Sequence, residues 1–177
     1  RIQPADELRL DLGRGVVLEA IPTPGHSADH LAYYEHGSRS LFTGDALGVQ
    51  MPIWQFTGPV TPAPGVNIEQ QHATFEKLAA LDLDALLFSH FGLGLQSPHD
   101  LIERERERYE QFVDLVRRAW ETGHVDHEAI IDAMMTAQPA TPEGQAIVRG
   151  WIEMSINGLV HHFERRARKA REAVQER

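Results

Sequence analysis

The sequence predicts an α/β protein, a sheet-forming first part followed by a helical remainder. Two observations carry this reading. Short β-rich runs alternate with glycine-marked turns through the first part of the chain, and helix-start signals with apolar 3–4 spacing dominate the rest. The 177 residues are 42% apolar, enough for one substantial core or a main domain with a small helical appendage.

Val16 to Ile21, placed after Gly13 and Gly15, reads as a strand. Leu31–Glu35 and Ser40–Thr43 read as two strands joined around His36-Gly37-Ser38, where Gly37 permits a tight turn. Ala85-Leu86-Leu87-Phe88, inside 84–89, is a compact run suited to a buried strand. Between Gly48 and Gly65, four prolines (Pro52, Pro59, Pro62, Pro64) remove backbone donors and predict irregular chain, with Trp54 and Phe56 lining a pocket or packing in a core.

Asn67 and Gln70 resemble a capping box, followed by a stripe of Ile68, Phe75, Leu78, Ala79 and Leu81. Ser97-Pro98 with Asp100 marks a stronger helix start, running to about Glu121. Its Glu103–Arg108 stretch alternates in sign and predicts a solvated face, with Tyr109, Phe112, Val113, Val116 and Trp120 buried. A short helix follows Asp126 and ends near Met135. Thr141-Pro142-Glu143 opens another, with Gly150 and Gly158 as candidate interruptions. The domain boundary falls between residues 96 and 97.

No cysteine is present, which removes disulfides and thiolate metal sites and fits a reducing compartment such as the cytoplasm. No apolar run is long enough to span a bilayer, so no membrane partner is expected. The net charge of −9 disfavours nucleic acid as a partner, and the basic run Arg165-Arg166-Ala167-Arg168-Lys169 reads as a solvated helix end. Ten histidines invite a search for metal or proton chemistry.

Three segments stand out: Thr23-Pro24-Gly25-His26-Ser27, Thr43-Gly44-Asp45-Ala46 and Ser89-His90-Phe91-Gly92. Each places an imidazole or a carboxylate just past a predicted strand. Imidazole offers a neutral nitrogen and a carboxylate can bridge two cations, so His26, Asp45 and His90 suit a mixed N/O site for zinc, iron or manganese. His30 is expected to pack near the site or hold a hydrogen bond there. His72 reads as structural, and adjacent His161 and His162 point apart on a helix.

These segments resemble the later ligand motifs of the metallo-β-lactamase superfamily, in particular its glyoxalase II-like hydrolases. On that resemblance His26 serves the first metal, Asp45 bridges both and also positions the water, and His90 serves the second. The superfamily's upstream HxHxDH motif does not occur in the chain. The resemblance, over roughly residues 10 to 95, implies the later half of an αββα sandwich: residues 1–96 as the C-terminal half of the catalytic domain and 97–177 as a helical, family-specific appendage.

The function implied is metal-dependent hydrolysis of a small ester, thioester or related bond, through water activated by two metal ions (Zn2+, with Fe or Mn as alternatives). This chain would supply part of the site and expose apolar sheet surface. An N-terminal fragment carrying HxHxDH, or a homo-oligomer, would then complete it. The alternative is a catalytically inactive assembly or regulatory fragment that retains a partial metallo-hydrolase fold.

Overall fold

The structure is a computed structural model that describes residues 8–54, 56–90, 92–135 and 141–175; the side chains of Leu8 and Trp54 also lie outside the description, and with Trp54 its pocket-lining role. It is an α/β fold. Strands β1 (Leu8–Asp11), β2 (Val17–Pro22), β3 (Leu31–Glu35), β4 (Ser40–Phe42), β7 (Ala85–Phe88) and β8 (Gly92–Leu93) form one sheet in the order β1-β2-β3-β4-β7-β8. All neighbours are antiparallel except β4 and β7, which run parallel. That exception matters for the site. The C-terminal ends of β2, β4 and β7 all meet the same edge of the sheet, and each of the three ligand segments begins just past one of them.

Alternation along the strands decides the faces. Ala32, Tyr34, Leu41, Leu86 and Phe88 are buried beneath the helices. On the opposite face the register lines up Tyr33, Phe42, Leu87 and Leu93 across four strands, and Phe42 and Leu93 are 43% and 55% exposed. An apolar row therefore lies on this outward face.

The β3–β4 turn is held by Glu35, whose carboxylate accepts from the Gly37 and Ser38 amides and the Ser38 hydroxyl at 2.9, 2.6 and 2.5 Å. These bonds, the Ser38 hydroxyl first, hold its carboxyl down at about 2. A depressed carboxyl contributes stability above its ordinary pKa and loses it as pH falls through the folded value. The turn is thus expected to loosen between about pH 4.5 and 2. Carboxyl NMR of Glu35 checks this; a midpoint at the ordinary glutamate value would contradict it.

The proline-bearing stretch is more regular than its composition suggests. β5 (Val49–Met51) and β6 (Phe56–Gly58) form a small antiparallel hairpin, joined through a 3-10 turn at Pro52–Trp54. Pro52 sits in that turn, and the other prolines follow β6, so none removes a donor from the ladder. Val49, Met51 and Phe56 are buried, which makes Phe56 a core residue.

Helix α1 (Ile68–Ala79) begins at Asn67, whose side chain accepts from the Gln70 amide. Its buried face includes Ile68, Phe75 and Leu78, but also Gln71 and Thr74; Ala79 is exposed. Helix α2 (Pro98–Glu121) has proline in its first turn, while Ser97 makes no side-chain cap bond. Within the run expected to be solvated, Glu105 is only 4% exposed. Arg104 and Arg108 both reach it at 3.1 Å. Burial raises its carboxyl pKa against the pull of these two arginines.

Helix α3 (His127–Met134) is capped by Asp126. Helix α4 (Pro142–Gln175) runs unbroken through both Gly150 and Gly158. Its buried Val148, Ile152, Ile156, Leu159 and Phe163, spaced by three or four, join the same core as α2 and the sheet. Among the described residues no helix is long and apolar enough to cross a membrane.

Candidate metal centre

His26 lies in the loop after β2. Its Nδ1 donates to the Val60 carbonyl at 3.0 Å; a carbonyl can only accept, so the neutral ring presents a bare Nε2. That Nε2 lies 3.5 Å from one oxygen of Asp45. From the other side, Nε2 of His90 lies 3.4 Å from the second oxygen. Ser89 donates to this second oxygen at 2.8 Å, and Trp151 packs edge-on against the His90 ring with centroids 4.9 Å apart.

His30 fixes the middle of the arrangement. The Asp45 amide donates to its Nε2 at 2.9 Å, so in the neutral ring Nδ1 carries the proton, which goes to the buried Thr23 hydroxyl at 2.7 Å. Both nitrogens are committed, and His30 is a positioning residue with none left for a cation. Burial, then the neighbouring His26, lowers its pKa, in keeping with a neutral ring. The approach depends on Gly44. It has φ +53°, and a Cβ there would stand 2.5 Å from His30 Nε2.

The loops carrying His26 and Asp45 are tied to α1 by the two polar residues on its buried face. Thr74 donates to the Pro24 carbonyl and Gln71 to the Ala46 carbonyl, each at 2.7 Å. Sequence reasoning missed both, because a buried polar residue on a helix breaks the apolar stripe without saying what it bonds. Their spacing of three, in line with Ile68, Phe75 and Leu78, was the available signal.

The structure thus brings together all three residues singled out in the sequence. Two imidazoles and a carboxylate fit a divalent cation in kind. They fall short in number. The histidines meet different oxygens of Asp45, and among the described residues no group of three or more His, Cys, Asp or Glu is placed to hold a metal ion.

Residues 2–90 match the family model of the metallo-beta-lactamase superfamily. The chain belongs to this superfamily. It is similar to the hydroxyacylglutathione hydrolase of Aeromonas hydrophila, 43% identical over 74 residues, which are 42% of this chain and 25% of that protein. A superfamily protein of Sulfolobus tokodaii is 24% identical, with a TM-score of 0.60, over 86% of this chain and 49% of that one. A family protein of Thermus thermophilus is 17% identical, with a TM-score of 0.55, over 92% and 48%. The chain spans about half the length of these solved structures, and its match covers about a quarter of that curated relative.

These likenesses correct one expectation. The resemblance is not that of a C-terminal remnant matching only from about residue 10 to 95. It extends over most of the chain, so the shared fold takes in much of the helical region as well. Sequence motifs could not reveal this, because helix packing is shared through shape and apolar periodicity while residue identity drifts.

Proposed function

We propose that this chain is a cation-binding member of the superfamily that does not turn over substrate by itself. His26, Asp45 and His90 are its metal ligands, and zinc is the cation that best suits two imidazoles and a carboxylate. The observation that supports this is the sharing of Asp45. With one histidine at each oxygen, no one position gathers three of these donors, so a cation binds weakly and keeps much of its water.

The reading is tested on the purified chain by zinc calorimetry and by a thioester hydrolysis assay. Weak uptake of at most one zinc, with no catalysed hydrolysis, is the expected result. Zinc-dependent turnover by the chain alone would overturn it.

A second reading is supported by the likeness to a hydroxyacylglutathione hydrolase. In it a further polypeptide, another copy or a different chain, supplies the remaining ligands, and a thioester of a small thiol is the substrate. Bound cations would acidify water and polarise the thioester carbonyl. Asp45 would orient the attacking water, while His30 and Ser89 hold that carboxylate and its backbone in place. Cytoplasmic residence belongs to this reading and rests on the lack of cysteine.

A further inference from the structure

Two neighbouring open clefts between helix α4 and helices α1 and α2 share part of their walls. One, of 480 Å³, is lined by Asn67, Glu69, His162, Arg165, Arg166 and Lys169. The second, of 430 Å³, shares Glu69, His162 and Arg166 and continues over Trp120, Phe163 and Ala167. Positions 162, 165, 166 and 169 fall on one face of α4, so the basic groups are gathered by helical spacing.

His162 is the unusual member. It is 1% exposed, and its Nδ1 donates to the Val66 carbonyl at 3.1 Å. Its Nε2 is buried with no hydrogen-bond partner. A buried polar atom without a partner is costly and calls for an explanation. Facing it, 4.0 Å away, is the carboxylate of Glu69, which also pairs with Arg166. The Glu69 side chain is 56% exposed, so it is free to swing out toward solvent.

We infer that the two clefts together are a binding site for an organic phosphate, in which Glu69 stands where the phosphate will sit. Three permanent cations, Arg165, Arg166 and Lys169, face one carboxylate. With Glu69 swung away, the three positive charges suit a phosphate dianion better than a single carboxylate. Arg165 is braced on the Pro64 and Val66 carbonyls at 3.1 and 3.0 Å, which fixes its charge at the cleft wall. When Glu69 leaves, a phosphate oxygen meets His162 Nε2, sharing a proton with it, and the first turn of α1 adds its positive dipole end. The ligand's body lies on the partly exposed Trp120, whose ring packs at 5.6 Å on the buried Phe163, which favours a flat apolar group.

The test uses calorimetric titration of the whole chain with adenosine monophosphate, inorganic phosphate and octanoate. Saturable binding of the nucleotide is expected, with inorganic phosphate and octanoate each at least about tenfold weaker. Glu69→Gln removes the competing charge and is expected to tighten nucleotide binding about tenfold; Arg166→Ala and Lys169→Ala are expected to weaken it by a similar factor. A gain in affinity cannot arise from misfolding, which keeps the Glu69 variant decisive. Octanoate binding as well as the nucleotide would overturn the phosphate assignment. Inorganic phosphate binding equally well would overturn the role of the aromatic half. No binding up to about 10 mM, or no gain in Glu69→Gln, would overturn the site itself.

Discussion

Gly158→Ala is expected to destabilise the protein by about 3 kcal/mol, while Gly150→Ala in the same helix is expected to stabilise it by up to about 1 kcal/mol. On helix propensity alone both changes are favourable, since alanine loses less backbone entropy than glycine. The surroundings set the signs apart. A Cβ at Gly150 meets nothing within 4 Å. A Cβ at Gly158 would stand 1.6 Å from the Thr61 carbonyl oxygen and 3.0 Å from the Ala63 nitrogen, both backbone atoms that cannot rotate away.

Relief of that clash requires α4 to lift off the segment after β6. Lifting would break the bonds Thr61 makes to the Ser155 carbonyl and hydroxyl at 2.8 and 3.3 Å, and that of the Ser155 hydroxyl to the Pro59 carbonyl at 3.2 Å. Each buried bond contributes about 1 kcal/mol, so the clash and the lost bonds together outweigh the propensity gain. Urea unfolding of the two variants gives the answer. Equal stabilisation of both would mean that α4 does not rest on this segment.

Asp45→Asn is expected to lower zinc affinity by about 100-fold or more, the largest effect of any single change near the histidines. The substitution keeps size and shape but removes the negative charge and turns one oxygen into an NH2 group, which repels a cation. Both histidines lose their shared partner at once, since each faces a different oxygen of this residue. His30→Gln is expected to cost less, about 10-fold, because it loosens the Asp45 backbone without removing a donor to the metal. Competition against a coloured zinc chelator resolves both. Unchanged affinity in Asp45→Asn would remove this residue from the cation site.

Much of this was legible in the chain itself, for reasons that differ by element. Leu31–Glu35, Ser40–Phe42 and Ala85–Phe88 were visible because turn residues bracket short β-rich runs. The starts of α1 and α3 were visible because capping is a local, side-chain-specific event, and that of α2 because proline suits the first helical turn. His26, Asp45 and His90 were visible because each follows a strand beside a glycine or a serine.

What the sequence hid is tertiary. β1 and the two-residue β8 exist through pairing with β2 and β7, which no local pattern announces. Glu105 read as solvated because its alternating charges do not disclose that Arg104 and Arg108 fold over it. Gly158 looked like a break because glycine is a poor helix former, whereas its role is to admit another backbone. His30 was foreseen near the site, but its pinned tautomer follows only from seeing which amide points at it.

The segment from Pro59 to Asn67 has a consequence for how distant events are linked. One end holds the His26 ring through Val60, the middle is clamped to α4 through Thr61, and the other end receives His162 and Arg165 at Val66. This short stretch therefore bonds to both candidate sites, with Thr61 between them. A ligand that draws α4 toward α1 is thus expected to change the pose of the His26 ring, and a cation that stiffens the ring to restrain α4 in turn. Linkage requires that the two influences be equal in free energy. Binding in the proposed phosphate cleft and at the proposed cation site is therefore expected to shift each affinity by the same factor.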